Sequence, residues 1–436
     1  MVARYPIPAG LIPTIITHDR KYSYTYLAII VLALVFLLIA VRQVGRFNLR
    51  IWQIMLGGAL AVLVTGQITP VDAIGAVNID VMLFLFGMFV VGEALVQSGY
   101  LASLAYRFFS GTRNAEQVVL VILFGMGILS ALLMNDTLAI IGTPLVLALA
   151  ARNHMSPKLL LLTLAFAITT GSVMSPIGNP QNLLVAVDSG MPSPFVTFGL
   201  YLLVPTLISL AAAYCMLRIF YPGEFSASTK ISPDLPTACD NRLALLAKCS
   251  LAIILILSAA NILASLTGAK LLITLPLIAL AAAAPVLILS EQRFSVLRKL
   301  DWPTLVFFAA MFVLMESVWQ TGFFQLFIDP GSISSVPFIL GLSIILSQFI
   351  SNVPFVALFQ PMILQAGGTT AQFMALAAGS TIAGNLTILG AASNVIIIQN
   401  AEKEGQTLTF WEFARVGIPL TIVQVLIFAG WLAVMG

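Results

Sequence analysis

Asn135-Asp136-Thr137 lies at the centre of an otherwise apolar stretch that runs from Gln117 to Ala151. A carboxylate at that depth in hydrocarbon is costly unless it pairs, binds a cation or changes protonation. Asp136, with Thr137 beside it, is therefore read as the group that holds a coupling ion, H+ or Na+. The structural alternative is that Asp136 caps the helix that follows by accepting backbone N–H bonds. Three more polar interruptions break apolar runs: Ser175-Pro176-Ile177-Gly178-Asn179-Pro180-Gln181-Asn182, Ser351-Asn352-Val353-Pro354, and the stretch from Asn385 to Asn394. Half-helix N-termini present unpaired N–H groups and the positive end of a dipole, which suit anionic or oxygen-rich ligands. Unwound carbonyls and Asn or Thr oxygens suit a small cation. On this basis Asn135, Ser175, Gly178, Asn179, Asn182, Asn352, Asn385, Thr387, Gly390, Ser393 and Asn394 form the candidate substrate-binding set, with the glycines permitting close backbone approach. The alternative is that these side chains only repair broken helices or hold helices together.

The motifs occur in pairs. Met88-Phe89-Val90, Glu93 and Gln97-Ser98-Gly99 recur as Met311-Phe312-Val313, Glu316 and Gln320-Thr321-Gly322, a separation of 316 − 93 = 223. Ile128-Leu129-Ser130, Asn135 and Pro144 answer Ile345-Leu346-Ser347, Asn352 and Pro361, while Gly178 and Asn182 answer Gly390 and Asn394. The chain is thus an internal duplication. Val353 stands where the first half has Asp136, so any charge-carrying role is confined to one half. Glu93 and Glu316 precede Gln97 and Gln320 by four residues, a helical spacing that suits a structural side-chain pair. Asp80 and Asp301 begin apolar runs and are expected to be helix N-caps.

Composition places these motifs in a bilayer. Hydrophobic residues make up 60% of the chain and charged residues 8%, with a mean hydropathy of +1.05, whereas soluble domains carry about 25% charged residues. The net charge of +3, with no long basic run, excludes nucleic acid as a partner. Cys215, Cys239 and Cys249 show no ligand spacing and are read as structural thiols. His18 and His154 sit in polar segments, so no metal site is expected. No Ser/His pair or His-Glu metal motif marks an enzyme. The first two dozen residues, interrupted by Pro6, Pro8 and Pro13, lack a signal peptide's order and are read as a cap outside the membrane.

A membrane helix needs about 20 apolar residues. That rule predicts spans near 25–41, 51–67, 79–97, 196–218, 243–264, 270–290, 302–322 and 414–435. Gln117 to Ala151 and Ser335 to Ala366 are each too long for one span and are predicted as re-entrant hairpins. The segments 158–189 and 371–400 are predicted as spans broken by Pro and Gly, which cost a helix interior about 3 and 1 kcal/mol. Each half then holds five crossings and one hairpin, and the odd count turns the second half upside down. The expected fold is an all-α polytopic membrane protein of about ten transmembrane helices plus two re-entrant hairpins, in two inverted-topology repeats with two broken helices at the core. The expected organisation is a cap at 1–24, a first repeat at 25–220, a cytoplasmic linker at 221–242 and a second repeat at 243–436. Only Arg4, Arg20, Lys21 and Lys270 of the 20 basic residues fall on one side of this arrangement. The positive-inside rule makes the other side cytoplasmic, with both termini outside.

These motifs resemble the ion transporter superfamily that includes the arsenical pump membrane protein ArsB, the NhaD-type sodium/proton antiporters and the divalent-anion/sodium symporters. Asn135-Asp136 with Thr143-Pro144 looks like the first hairpin tip of arsenical pumps, and Ser351-Asn352-Val353-Pro354 like the second. Ser175 to Asn182 and Gly384-Asn385-Leu386-Thr387-Ile388-Leu389-Gly390 look like the two unwound connectors. The connectors also lean toward the wider anion-permease and P-protein-like relatives. The resemblance implies a secondary active transporter in the plasma (inner) membrane of a prokaryote, exporting arsenite or antimonite with protons moving inward. It also implies a cytoplasmic ATPase subunit as a partner of some members. Sodium-coupled uptake of a dicarboxylate, sulfate or phosphate, or sodium/proton antiport, would use the same sites.

Overall fold

The computed structural model describes residues 21–41, 43–44, 47–48, 50–100, 103–104, 112, 114–226, 241–269, 273–323 and 335–435. Most of the expected N-terminal cap, with His18, and most of the expected linker, with Cys239, lie outside the described residues. Among the described residues the regular structure is helical apart from a two-residue ladder of Gln43–Val44 with Phe47–Asn48. The first half contains α1 (Lys21–Val41), α2 (Ile51–Val64) and α3 (Ile79–Gln97), then a hairpin of α4 (Ala115–Leu132) and α5 (Asn135–Asn153). A broken helix, α6 (Pro157–Ser172) and α7 (Pro180–Asp188), and a long helix, α8 (Pro194–Phe220), complete it. The second half repeats the order: α9 (Asn241–Thr267), α10 (Leu275–Leu289), α11 (Trp302–Trp319), a hairpin of α12 (Val336–Ile350) and α13 (Asn352–Gln365), a broken helix of α14 (Thr370–Ile382) and α15 (Ala392–Lys403), and α16 (Phe410–Met435).

The expected spans, hairpins and breaks all correspond to these elements. Among the described residues six helices, those within 79–97, 115–132, 194–220, 242–267, 302–319 and 410–435, are long and apolar enough to cross a membrane. A short helix at Pro70–Ala76, capped by Thr69, was not expected from periodicity. Asp80 lies in the first turn of α3, but the cap is Asn78, whose Oδ1 accepts from Val81 N. Asn78 stands at the last extended residue, where its side chain can turn back to the helix; Asp80 is already inside it. Asp301 does cap α11, accepting from Thr304 N.

The halves interlock. α3 of the first repeat packs on α10 of the second, and α11 of the second on α2 of the first. Gly87 makes the first crossing close, since a Cβ there would sit 2.6 Å from the Ala279 carbonyl carbon. The arm α5 packs on α15, and its counterpart α13 packs on α7. α3 and α11, equivalent by sequence, run antiparallel. The start of α3 at Asn78 and the end of α11 at Glu316 both lie near Asp188, while the end of α3 at Gln97 bonds Ser295, just before α11 begins. The repeats are inverted.

α6 and α14 are the centre of the molecule, with every residue from Leu159 to Ser172 and from Ala371 to Ile382 buried. The rim is apolar instead of polar: α8 exposes Leu200, Leu203 and Leu207, and α16 exposes Ile418, Ile422 and Leu426. An apolar rim around a core that holds Asn, Gln, Ser and Thr is the arrangement a lipid solvent favours, because polar groups must find their partners inside the protein.

Candidate functional site

Each broken helix ends where its backbone unwinds. α6 stops at Ser172, and α14 passes into two short 3₁₀ turns, Ala383–Asn385 and Ile388–Gly390. The freed carbonyls are taken up by one asparagine in each repeat. Asn182 Nδ2 donates to Ser172 O (3.1 Å), Val173 O (3.2 Å) and Ser175 O (3.1 Å). Asn394 Nδ2 donates to Gly384 O (2.6 Å) and Thr387 O (3.5 Å). The acceptors correspond under the separation 394 − 182 = 212, which also carries 172 to 384 and 175 to 387. Both asparagines are fully buried, and their donors serve the fold.

The two connectors are tied across the repeats. Asn179 Nδ2 donates to Ser172 Oγ (2.9 Å) and Thr381 Oγ1 (3.3 Å), and Thr381 Oγ1 donates to Asn182 Oδ1 (3.1 Å). In the opposite sense, Asn385 Nδ2 reaches Thr170 Oγ1 and Gln424 Oε1, both at 2.9 Å, and Gln424 Nε2 donates to Thr170 Oγ1 at 3.0 Å. Gly417 allows this approach, because a Cβ there would lie 2.2 Å from Asn385 O.

The hairpins dock on the connectors. Asn135 N donates to Gly178 O at 3.1 Å, and a Cβ on Gly178 would fall 2.8 Å from Ser130 O in the arm α4. In the second repeat Gln348 of α12 donates to Ala383 O at 2.8 Å and accepts from Thr387 Oγ1 at 2.8 Å. A Cβ on Gly390 would lie 3.0 Å from Gln348 and 2.4 Å from Ala383 O. Ser175 Oγ accepts from Ile177 N at 3.3 Å inside its own turn.

Thr137 points elsewhere: its hydroxyl lies against Gly92 of α3, 2.9 Å from where a Cβ would stand. Asp136 is half-buried in the first turn of α5 and does not cap it; the cap position is Met134, without a side-chain bond. Thr170, Thr381, Gln348 and Gln424 were not singled out by sequence. The two glutamines, each an uncharged polar group deep in an apolar span, carried the signal that could have found them.

At the hairpin tips and connectors three half-helix N-termini remain without a capping side chain: α5 after Met134, α13 after Ser351 and α15 after Ala391. At each stands a buried oxygen with no hydrogen-bond partner, Asn135 Oδ1, Asn352 Oδ1, and Ser393 Oγ with Asn394 Oδ1. Asn385 Oδ1 is a fifth such atom. The N-terminus of α7 differs, since Asn179 Oδ1 accepts from Asn182 N at 2.8 Å. An unpaired buried polar atom costs about 1–3 kcal/mol. Oxygens of this kind beside open N–H groups are able to accept from the hydroxyls of a solute or to contact a small cation. No Lys or Arg belongs to either hairpin tip or either connector.

A sequence model of the family described as CitMHS: Citrate transporter matches residues 33–372. The chain belongs to this citrate transporter family. It is a membrane transporter and not an enzyme. An uncharacterized transporter of Mycobacterium tuberculosis is 29% identical over 431 residues, covering 93% of this chain and 97% of that protein. The silicon efflux transporter LSI3 of Oryza sativa subsp. japonica is 26% identical, covering 84% and 89%. The P protein of Homo sapiens is 24% identical over 80% of this chain and 52% of its own length. Among solved structures, the Alcanivorax borkumensis YdaH transporter, described as having an unusual topology, superposes with a TM-score of 0.59 at 18% identity, covering 94% of this chain and 98% of that one. The matched span holds both hairpins and the first connector.

Proposed function

We propose that the protein is a secondary active transporter that works by alternating access. Its hairpins and broken helices carry a small, uncharged, hydroxylated solute past the remaining helices. Arsenite and antimonite are the leading substrates, moved outward while protons move inward through Asp136. The observation that supports this most is the chemistry of the site. It offers amide and hydroxyl oxygens, open N–H groups and one carboxylate, with no cationic side chain to neutralise a multiply charged anion. At neutral pH arsenite is an undissociated acid whose hydroxyls can donate to orphaned Asn oxygens and accept from helix N-termini. A silicon efflux transporter among the relatives handles an element whose common dissolved form is likewise a neutral hydroxylated acid. Cys215 and Cys249, the cysteines among the described residues, lie exposed on α8 and α9, outside both connectors in the chain, and this reading assigns neither as a ligand.

The test uses purified protein in proteoliposomes. Asp136→Asn should fold as wild type and lower proton-coupled arsenite flux by about tenfold or more, the loss expected when a required proton carrier is removed. Unchanged coupled export would refute the assignment. Sodium-coupled uptake of a carboxylate is the second reading, favoured by the family's description. Binding of arsenite, antimonite, citrate and a dicarboxylate panel, with and without sodium, separates the two: sodium-dependent carboxylate binding alone would select the second. The cytoplasmic ATPase partner belongs to the first reading only, and ATP-independent export by the protein alone would remove it.

A further inference from the structure

One hydrogen bond ties the end of the first broken helix to the start of α3: Asn78 Nδ2 donates to Asp188 Oδ1 at 2.7 Å. The separation of 223 that maps α3 onto α11 carries Asn78 to Asp301 (78 + 223 = 301), and the separation of 212 that maps the connectors carries Asp188 to Asn400 (188 + 212 = 400). The second repeat therefore owns the same amide–carboxylate pair with the roles exchanged, the carboxylate at the start of α11 and the amide near the end of the broken helix. This second pair is not joined. Asp301 Oδ2 accepts from Thr304 Oγ1 at 2.6 Å, and Asn400 Oδ1 accepts from Lys403 Nζ at 3.0 Å.

The antiparallel run of α3 and α11 puts Asn78 and Asp301 at opposite ends of these two helices, about 27 Å apart along the axis at 1.5 Å per residue. Beside the joined pair, Asp188, Glu316 and Trp319 border a cavity of about 60 Å³. A second cavity, of about 700 Å³, is bordered by His154, Glu404 and Gln406, the last two just beyond Asn400 in the chain.

We propose that the two pairs are alternating latches. Asn78–Asp188 closes one face in the state seen here, and movement of the broken helices toward the other state opens it and joins Asp301 to Asn400. This rests on the alternating-access reading above. In an inverted duplication the second state arises when each repeat adopts its mate's arrangement, so a contact made by one half is replaced by its counterpart in the other. The exchange of roles keeps the bond type constant. Each latch joins one amide donor to one carboxylate, a charge-assisted hydrogen bond. Neither state is then favoured by the latches themselves, and a carrier needs two states close enough in energy to interconvert.

The experiment is disulfide trapping in membranes of a full-length protein with Cys215, Cys239 and Cys249 replaced by Ser. Asp301→Cys with Asn400→Cys should cross-link, reporting the alternate state. Adding Asp188→Ala, which caps no helix, should raise the yield several-fold and up to about tenfold, the range for loss of one charge-assisted bond. The double exchange Asn78→Asp with Asp188→Asn keeps donor and acceptor together and should return the yield to its starting value; size-exclusion profiles of all variants check folding. A cross-link yield that ignores Asp188→Ala, or no cross-link while solute flux continues in the parent protein, overturns the latch. Trapping reads conformation without reference to the solute, so a shifting cross-link with no arsenite flux would refute the substrate and leave the latch standing.

Discussion

Asn182 and Asn135 look alike in sequence, each an asparagine beside a break in an apolar run, yet the structure gives them opposite duties. Asn182 spends its amide on three carbonyls released by the unwound turn, while Asn135 leaves its oxygen without a partner. Asn182→Ala would strand those acceptors away from water and should cost roughly 1–3 kcal/mol of stability, with Asn394→Ala behaving likewise. Asn135→Ala removes an unsatisfied atom; it should leave stability unchanged or slightly raised and weaken solute binding. Thermal unfolding beside equilibrium binding of arsenite for the three variants checks the division. Equal destabilisation by Asn135→Ala and Asn182→Ala would show that the hairpin amide is also spent on the fold. Residue types and spacing made every one of these positions visible. They did not show which amides were already occupied, because the partners of Asn182 are main-chain atoms that exist as free acceptors only once the helix has unwound.

At the level of elements, the breaks were the most legible part of the chain, since Pro176, Gly178, Pro180 and Gly384 cannot continue a helix cheaply. Less legible was what fastens the broken pieces. The Thr170, Asn385 and Gln424 cluster joins three elements separated by up to 254 residues in sequence, and nothing local to Gln424 announces its partners. The second hairpin also holds a feature without a sequence signal: Ser351 sits at φ 73°, ψ 151°, a backbone region nearly reserved for glycine and costing about 1–3 kcal/mol. The first hairpin turns through Leu133 and Met134 without such strain, so the duplicated hairpins have diverged in their tips as well as in charge. α16 approaches the second connector through Gly417. Gly417→Ala would drive a methyl group into Asn385 O and separate Gln424 from Asn385, an overpacking cost of about 1–3 kcal/mol. We expect lower thermal stability together with reduced flux, whereas Gly430→Ala, where a Cβ meets open space, should change neither. Equal flux in both variants would mean that the second connector tolerates displacement.

For the whole molecule, inversion follows from a count of crossings, and the antiparallel course of α3 and α11 agrees with it. Which face meets the cytoplasm is a separate matter, and it rests on charge. The segments that hold Arg152, Lys158, Lys403 and Arg415 gather at one end: His154, Pro157 and Glu404 border one cavity there, and Lys158 pairs with Glu412. The cavity at the opposite end carries Asp188 and Glu316 and no basic residue. Insertion retains Lys- and Arg-rich loops on the cytoplasmic side, so the proposed orientation puts the His154 end inside and both termini outside. A protease site and epitope added after Gly436 should then be cut in intact cells or right-side-out vesicles and protected in inverted vesicles. Moving several Lys residues into the 366–369 turn, on the poor side, should weaken that preference and yield a mixed population. Protection of the added epitope in right-side-out vesicles would reverse the orientation while leaving the inverted pairing of the repeats intact.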